Sequence, residues 1–394
     1  MFEPNTIYCG DCKEVLKKFP DECVDLIYMD PPFFSNKKYE VIWKDGYEVR
    51  AFEDRWKGGI EHYIGWMEER TRECHRVLKK TGSIYLHCDW HASHYLKVMM
   101  DRVFGYNNFR NEIVWCYSRS TSPRQKVWGR MHDNILFYTK SREWTFNVDD
   151  VRLPYSDSSK KREGYSKKIF VAKGDLKCKL NPKGKFPEDW WQIPFIRPNA
   201  KERLGYPTQK PEALLERIIK ASSNPGDIVL DPMCGCGTAV AVAHKLGRQW
   251  IGIDVSPTAC RLMTDRLRSL GVSIGENDIV GLPRTIEELR SMQPFEFQNW
   301  VCQKLGGRVN PKRVVDGGFD GWTFDGGLIQ AKRTEKVGRT VVDQFETTLR
   351  REGKDKGIIV AFSFTRDAYE EVARAKMHDG LEIELKEVSE LVEE

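Results

Sequence analysis

The sequence predicts an α/β protein with a mixed, largely parallel sheet flanked by helices, followed by a smaller α/β unit. Short apolar runs typical of buried strands alternate with stretches whose apolar residues recur at helical spacing. Two of these runs end in an Asp-Pro pair, at 30–31 and 231–232, and proline stops a strand because it has no N–H to continue the ladder. The composition shifts near residue 275, and 394 residues suffice for two or three domains.

The first part of the chain opens with a β-α-β unit, whose strands are predicted at 7–11 and 24–29 around a helix at 12–19. The polar and aromatic stretch 34–59 has no clean period, so we expect a mobile loop there. Regular periodicity also fades between 141 and 207. The other predicted elements are helix 60–78, strand 83–87, helix 91–104, strands 111–115 and 134–138, helix 212–222, strand 227–231, helix 239–246 and strand 250–254.

The first Asp-Pro pair opens the motif Asp30-Pro31-Pro32-Phe33 at the end of a predicted strand, where α/β sheets bind ligands. Asp30 and the Pro31 carbonyl could each accept one N–H of an exocyclic amino group, while Phe33 stacks on the ring that carries it. The motif therefore predicts a site for an aminated nucleobase. A plain turn after a strand is the alternative.

The second Asp-Pro pair opens Asp231-Pro232-Met233-Cys234-Gly235-Cys236-Gly237-Thr238, between a strand and a helix. Together the two motifs resemble those of the amino-group DNA methyltransferases that use S-adenosylmethionine, which read Asp-Pro-Pro-aromatic and Asp-Pro-Phe-x-Gly-x-Gly-Thr. Met233 and Cys236 depart mildly from that pattern, and both glycines are kept. The catalytic motif precedes the cofactor motif, so the Rossmann-like methyltransferase sheet is circularly permuted, as in the beta group of this family. The resemblance spans about 7–268 and includes Tyr-Pro-Thr-Gln-Lys-Pro-Glu at 206–212.

The resemblance implies an enzyme that flips the target base out of the duplex and needs no metal for methyl transfer. Asp30 and Pro31 would orient the amine for in-line attack on the sulfonium methyl, and Pro32 and Phe33 complete the predicted catalytic set. Adenine N6 and cytosine N4 both fit the motif. Aspartate at its first position resembles the adenine enzymes, so we predict adenine, with cytosine N4 as the alternative.

S-adenosylmethionine has three parts that need different partners. The glycine backbone at a helix N-terminus suits the methionine carboxylate, with Thr208 and Lys210 at the same end. Asp254 would bind the ribose hydroxyls and Asp11 the adenine amino group, although each could instead cap a helix. The predicted cofactor-binding residues are Asp11, Thr208, Lys210, Asp231, Pro232, Cys234, Gly235, Gly237, Thr238 and Asp254.

Positive charge is concentrated between 151 and 210, where 15 Lys and Arg face 6 Asp and Glu in a chain of net charge +5. Interleaved aromatic residues favour a surface for double-stranded DNA over solvated lysine-rich loops. We predict that 141–207 is the target-recognition region, and that the loop 118–130 contacts phosphates, although an exposed hairpin would look similar. The predicted DNA-binding residues are Arg119, Arg124, Lys126, Lys160, Lys161 and Arg162.

Residues 276–294 read as a linker between a methyltransferase domain (1–275) and a C-terminal domain (295–394). In the latter, Asp320 precedes Gln330-Ala331-Lys332 by ten residues, which resembles the Mrr-like branch of the PD-(D/E)xK nucleases. The resemblance implies Mg²⁺ held by Asp320, Gln330 and Glu296, with Lys332 positioning the attacking water. A domain that only binds DNA is the alternative. One such centre cuts one strand, so duplex cleavage needs a homodimer or two encounters.

The pairing of the two domains predicts a restriction-modification enzyme whose methylation protects host sites. Cleavage of methylated foreign DNA is a second option. No run approaches the ~18 apolar residues of a membrane span and no signal peptide is evident, so we expect a cytoplasmic protein. The eleven cysteines are irregularly spaced, which favours reduced thiols over a disulfide framework.

Overall fold

The computed structural model describes residues 2–392 except 36–37, 43–47, 54–58, 119–125, 162–165, 168–175, 178–179, 205, 207 and 311–317. Its first domain holds twelve strands and seven α-helices among the described residues. In chain order they are β1 (Thr6–Cys9), α1 (Cys12–Leu16), β2 (Val24–Met29), β3 (Lys38–Ile42), β4 (Glu48–Glu53), α2 (Gly59–Val77), β5 (Leu78–Cys88), α3 (Ser93–Phe104), β6 (Phe109–Cys116), β7 (His132–Thr139), α4 (Asp157–Lys161), β8 (Ser166–Lys167), β9 (Leu176–Lys177), β10 (Trp190–Gln192), α5 (Glu212–Ser222), β11 (Ile228–Asp231), α6 (Thr238–Lys245), β12 (Gln249–Asp254) and α7 (Pro257–Ser269).

Eight of these strands form one sheet in the order β1-β12-β11-β2-β5-β7-β6-β10. Every neighbouring pair is parallel except those of β7, which runs antiparallel to β5 and to β6. The predicted mixed, largely parallel sheet is therefore confirmed. Because β1, β12, β11, β2 and β5 are parallel, their carboxyl ends meet at one edge of the sheet, which we call the carboxyl edge.

Helices cover both faces of this sheet, as its apolar strands require. On one face α5, α6 and α7 contribute buried residues such as Leu215, Val240 and Met263. On the other face α2 and α3 contribute residues such as Met67 and Leu96. The two cores hold the strands rigidly, which fixes the side chains at the carboxyl edge.

Two predicted irregular regions contain regular structure. The stretch 34–59, expected to be a loop, includes the antiparallel pair β3 and β4, and its remaining residues from 36 onward lie mostly outside the described part. The segment 141–207 supplies β10, which pairs parallel with β6 and extends the sheet. Trp191 on β10 is buried and donates from its indole nitrogen to the Glu188 carbonyl at 2.9 Å, so this tryptophan is a core residue.

The second domain is a five-stranded sheet with helices around it, in the order β13-β14-β15-β16-β17. The strands β15, β16 and β17 are parallel, whereas β14 is antiparallel to both β13 and β15. Its elements are α8 (Ile286–Ser291), α9 (Pro294–Lys304), β13 (Arg308–Val309), β14 (Gly321–Trp322), β15 (Leu328–Lys332), α10 (Arg339–Arg351), β16 (Lys356–Ala361), α11 (Arg366–Asp379), β17 (Glu382–Glu387) and α12 (Val388–Val392).

The segment 276–294, predicted to be a linker, is folded at both of its ends. Near its start Val280 pairs with β1, since its N–H donates to the Ile7 carbonyl at 3.0 Å and its carbonyl accepts from the Cys9 N–H at 2.8 Å. Near its end Leu289 and Met292 pack in the core of the second domain. The chain therefore passes from one fold to the other within a few residues.

The two domains contact each other through α7 and α9. Arg261 donates to the Gln303 side chain at 2.8 Å, and Thr258 donates to the Glu296 carboxylate at 3.3 Å. Val309, just after α9, packs on an apolar cluster of the first domain formed by Tyr206, Cys236, Ala259 and Leu262. Thus the second domain covers part of the first.

Across the described residues, no helix is both long enough and apolar enough to cross a bilayer.

Candidate functional site

The motif at 30–33 lies at the carboxyl edge, directly after β2. Tyr63, a fully buried residue of α2, donates its hydroxyl hydrogen to the Pro32 carbonyl at 2.6 Å. Two prolines restrict the backbone, and this bond ties the turn to the helix behind it. The motif is therefore held in one shape.

The two carboxylate oxygens of Asp30 have different surroundings. Oδ2 accepts a hydrogen bond from the Lys210 ammonium, which also donates to the Thr208 carbonyl at 3.3 Å. Oδ1 is buried and has no hydrogen-bond partner among the described residues. A buried acceptor left unsatisfied costs about 1–3 kcal/mol, so Oδ1 is suited to a donor that a ligand brings.

The Phe33 ring lies near the ammonium that binds this carboxylate. The Lys210 ammonium is 4.9 Å from its centroid, and the His87 ring is 5.5 Å away on β5. An amine could bind at Asp30 and a flat ring on Phe33. This position is next to the Lys210 ammonium, which comes from a segment far along the chain. The structure brings together Asp30, Phe33 and Lys210.

A buried hydrogen-bonded chain supports Phe33 from below, and the sequence analysis missed it. The Tyr28 hydroxyl bonds to His87 Nδ1 at 2.7 Å, and His87 Nε2 lies 3.4 Å from the Asp133 carboxylate. Tyr117 donates to the same carboxylate at 2.9 Å. Burial alone would raise the pKa of Asp133, yet the bonds from His87 and Tyr117 lower it. The signal that could have revealed this chain is a histidine inside the otherwise apolar run 84–88 at the end of β5.

The glycine-rich motif connects β11 to α6. Asp231 is buried at the end of the strand and accepts from the Met233 N–H at 3.1 Å. Burial raises the pKa of Asp231 well above its usual value, and the charges of Asp30 and Asp254 add to that shift. These three aspartates therefore converge at the carboxyl edge. Pro232 and Cys234 lie in the loop, and Thr238 is the first residue of α6.

Both glycines of this loop have left-handed backbone angles, with φ of +52° at Gly235 and +73° at Gly237. A Cβ on Gly237 would lie 2.5 Å from Met263 Cγ, and one on Gly235 would lie 3.0 Å from the Tyr206 ring. Only glycine satisfies both the angle and the space. The loop thus brings its backbone close to its neighbours, as binding of a ligand's carboxylate at a helix N-terminus requires.

Replacing Gly237 by alanine is expected to lower cofactor affinity and to reduce the free energy of unfolding by about 1–3 kcal/mol, because the left-handed angle and the contact with Met263 both strain the loop. Calorimetric titration with S-adenosylmethionine and thermal unfolding measure the two effects. Gly247→Ala is the matched control, since Gly247 has φ +72° after α6 and a Cβ there meets nothing within 4 Å. Equal losses of affinity in both variants would contradict this role of the loop.

Asp254 ends β12 and faces the glycine loop. Its carboxylate accepts from the Gly235 N–H at 2.8 Å and from the Ser256 N–H at 2.9 Å. The N-cap of α7 is Ser256, so the alternative reading of Asp254 as a helix cap is wrong.

The alternative holds for Asp11, which caps α1 by accepting from the Lys13 N–H at 2.9 Å. Its other oxygen pairs with the Arg70 guanidinium, which stacks 3.7 Å from the Trp66 ring. Asp11 still lies at the carboxyl edge, because Cys9 on β1 pairs with Asp254 on β12. Its present contacts are those of a structural residue.

Lys210 differs most from its prediction. We expected it, with Thr208, at the methionine end of the cofactor, but its ammonium bonds to Asp30. Thr208 has a left-handed backbone at φ +62°, and its carbonyl helps to hold that ammonium. Tyr206, the first residue of the motif at 206–212, is buried with its ring against Gly235.

The predicted DNA-binding residues fall into two groups. Arg119, Arg124 and Arg162 lie outside the described residues. Lys126, Lys160 and Lys161 are exposed, and Lys160 pairs loosely with Asp157 at 3.8 Å.

In the second domain Asp320 lies just before β14 and Gln330 lies on the adjacent strand β15, since Gly321 pairs with Ile329. Asp320 accepts from the Ala331 N–H at 2.7 Å, and burial raises its pKa to about 6 against the opposing effects of that bond and of Lys332. Gln330 donates to the Gly318 carbonyl, while its Oε1 is buried with no hydrogen-bond partner among the described residues. A carboxylate and an orphaned amide oxygen fit a hard divalent cation.

Glu296 does not join this pair through any of its described contacts, contrary to its prediction as a metal ligand. It is only 6% exposed, and its carboxylate faces α7, where it accepts from Thr258. Helix α9 docks on the first domain, and this turns the side chain toward that domain. Burial raises the pKa of Glu296 to about 7, although bonds from Ser256 and Thr258 lower it.

Glu296 should make stability depend on pH. The Glu296 carboxyl has a pKa of 4.5 in the unfolded chain and of about 7 in the folded protein. Between these pH values the folded protein therefore binds more protons than the unfolded chain. The free energy of unfolding should therefore fall by about 3 kcal/mol as pH rises from 4.5 to 7. Glu296→Gln should flatten this dependence in thermal unfolding measured from pH 5 to 8. An unchanged pH dependence in the variant would contradict the assignment.

Another acidic group, Asp343, Glu346 and Glu371, brings its carboxylate oxygens within 4.8 Å of one another. Arg374 bonds to Glu346 at 2.7 Å and also pairs with Glu371, and Arg339 lies 2.9 Å from Glu371. These arginines neutralise the acids, so the group is an ion-pair network between α10 and α11.

Comparisons with known proteins agree with this geometry. A family model described as DNA methylase matches residues 24–265, and one described as restriction endonuclease matches 289–394. The DNA adenine methyltransferase YhdJ of Escherichia coli (strain K12) is 36% identical over 266 residues, which are 67% of this chain and 83% of that protein. The type II methyltransferase M.HpaI of Haemophilus parainfluenzae is 32% identical over 264 residues, 67% of this chain and 74% of that protein. Among solved structures, PvuII DNA methyltransferase (cytosine-N4-specific) aligns at 20% identity with a TM-score of 0.47, over 69% of this chain and 88% of that one.

Proposed function

The chain belongs to the DNA methylase family and carries a restriction endonuclease domain after it, and on that premise we propose that it methylates adenine N6 in double-stranded DNA. The methyl donor is S-adenosylmethionine, and the reaction takes place in the cytoplasm. The observation that carries the proposal is Asp30 Oδ1, a buried acceptor without a hydrogen-bond partner in the described structure, on a carboxylate whose other oxygen binds the ammonium that lies over the Phe33 ring.

In this mechanism the target base leaves the duplex and lies on Phe33. One amino hydrogen is donated to Asp30 Oδ1, which holds the amine so that its lone pair points at the methyl group. Lys210 keeps Oδ2 occupied and leaves Oδ1 for the amine. The carboxylate can also take the proton that the nitrogen loses.

The residues of the glycine loop fit the cofactor. S-adenosylmethionine supplies a methyl group on a positively charged sulfur. Gly235 and Gly237 let the loop backbone approach a ligand closely, while their own N–H groups donate to Asp254 at 2.8 Å and to the Cys234 carbonyl at 2.9 Å. Asp254 has lone pairs left for the ribose hydroxyls. Asp231, buried behind the loop, holds the shape of the turn through the Met233 N–H.

Adenine is favoured over cytosine by the aspartate at the start of the motif and by the similarity to an adenine methyltransferase. The test incubates the protein with DNA and labelled S-adenosylmethionine, digests the DNA and identifies the methylated base by mass spectrometry. N6-methyladenine is expected. N4-methylcytosine would overturn the choice of base, and absence of transfer would leave a DNA-binding module with a vestigial cofactor pocket.

For DNA binding, we propose that 141–207 and the loop 118–130 hold the duplex. The exposed lysines Lys126, Lys160 and Lys161 support this, since each phosphate contact releases counterions and adds affinity. Sequencing of methylated random DNA would reveal the recognition sequence.

For the second domain, we propose Mg²⁺-dependent cleavage of DNA. The orphaned Gln330 Oε1 supports it, together with Asp320, whose carboxylate accepts from the N–H of the next residue, Ala331. Asp320 and Gln330 would hold the ion, which would supply positive charge to the phosphate, and Lys332 at the end of β15 would orient the attacking water. We propose that methylation of host sites protects them from this domain, and that both strands are cut by a homodimer or by two encounters.

A further inference from the structure

An exposed stack of flat side chains lies near the base site. Arg130 places its guanidinium carbon 3.7 Å from the centroid of the Trp90 ring, and the ring of His91 stacks on Trp90 with centroids 3.8 Å apart. Asp89 fixes His91 by accepting from its N–H at 2.9 Å and from its ring nitrogen at 2.8 Å. We call Arg130, Trp90 and His91 the Trp90 stack.

The Trp90 stack is at the carboxyl edge. Trp90 follows His87, whose ring contacts Phe33, by three residues. Arg130 precedes Asp133, the partner of His87, by three residues, and β5 and β7 pair at Cys88 and Asn134. The stack is therefore anchored to the same buried chain that supports the floor of the base site.

Its exposure and charge indicate the kind of partner. Trp90 is 45% exposed and the nearby Trp128 is 95% exposed, although large aromatic side chains are usually buried. Lys126 and His132 are exposed on the same segment, so the surroundings are basic. Proteins bind nucleic-acid bases without sequence preference by stacking them on aromatic rings in positively charged surroundings.

We propose that the Trp90 stack, with Trp128, binds by stacking a DNA base that loses its neighbour when the target base leaves the duplex. This inference rests on the proposed function. Extrusion of a base breaks stacking on both sides, and a protein ring that replaces a lost contact lowers the cost of the open state.

The test compares wild type, Trp90→Ala and Tyr106→Ala. Tyr106 is the matched control: it is 72% exposed and its ring lies 4.7 Å from the Lys97 ammonium, but it is at the opposite edge of the sheet, just before the start of β6, and outside the segments proposed to hold the duplex. Fluorescence anisotropy measures binding to a fully paired duplex and to the same duplex with two central unpaired bases. Wild type and Tyr106→Ala should prefer the second DNA. In Trp90→Ala the ratio of the affinity for the second DNA to that for the paired duplex should fall by roughly tenfold, and Trp90→Phe should keep most of that ratio.

Because tryptophan carries no charge, Trp90→Ala should leave the slope of log affinity against log salt unchanged. If Trp90→Ala lowers the unfolding temperature, Trp128→Ala provides the same test at a side chain that is almost wholly exposed. Wild-type preference in the tested variant, or an equal loss in Tyr106→Ala, would overturn the inference while methyl transfer stands. Failure of the wild-type protein to bind DNA or to transfer methyl groups would instead overturn the proposed function.

Discussion

Replacing Asp30 by alanine is expected to slow methyl transfer by roughly 10²–10⁴-fold while cofactor affinity stays close to wild type. Without Asp30 Oδ1 the target amine loses its acceptor and its orientation, whereas the glycine loop keeps its contacts with Asp254. Single-turnover transfer from labelled S-adenosylmethionine measures the rate, and calorimetric titration measures cofactor binding. Transfer at the wild-type rate would refute the mechanism.

Two further variants show how Asp30 acts. Asp30→Asn keeps an acceptor oxygen but has no charge, so it should retain more activity than Asp30→Ala if orientation dominates. Lys210→Met removes the ammonium that holds Oδ2 and should slow transfer without weakening cofactor binding. A loss of cofactor affinity in Lys210→Met would instead return Lys210 to its predicted place at the methionine end, and Lys210→Arg should restore part of the rate.

The second large effect is expected in the nuclease domain, where Lys332→Ala should abolish Mg²⁺-dependent nicking of plasmid DNA. Lys332 closes β15 beside Asp320 and would stabilise the negative charge that builds up on the phosphate during attack. Loss of a preorganised donor of this kind costs roughly 10²–10³-fold in rate. Agarose gels of supercoiled plasmid with Mg²⁺ and with EDTA report the cleavage.

Lys356→Ala is the control for this variant. Lys356 starts the neighbouring strand β16 and pairs with Glu382 at 3.1 Å, whereas Lys332 pairs in register with Ala361 at the other end of that strand. Wild type and the control should nick unmodified plasmid and spare plasmid methylated beforehand by the same protein. If wild type nicks neither substrate while methyl transfer is intact, the domain is a DNA-binding or assembly element.

The sequence was most informative about elements whose signal is local. The strand at 24–29 and the helix at 212–222 were predicted with the bounds that the structure has. Each is marked by a pattern that lies wholly within a short stretch of sequence, an apolar run for the strand and an amphipathic period for the helix. The motifs at 30–33 and 231–238 were found for the same reason. Both the family and the fold class inferred from these motifs are confirmed.

What the sequence could not supply are contacts between distant segments. Lys210 reaches Asp30 across 180 positions, and Glu296 turns to Thr258 because α9 docks on α7. Neither contact is marked by a periodic pattern or a local motif in the sequence. The hairpin of β3 and β4 was missed because its polar and aromatic residues do not alternate cleanly.

The packing of Val309 against Tyr206 has a consequence for dissecting the protein. Tyr206 covers Gly235 of the cofactor loop on one side and shares an apolar cluster with Val309 on the other. Truncation at residue 275 would remove Val309 from that cluster, so the excised methyltransferase domain would expose apolar surface beside its own cofactor loop. Point mutations within the intact polypeptide therefore test the two proposed activities separately without uncovering this surface.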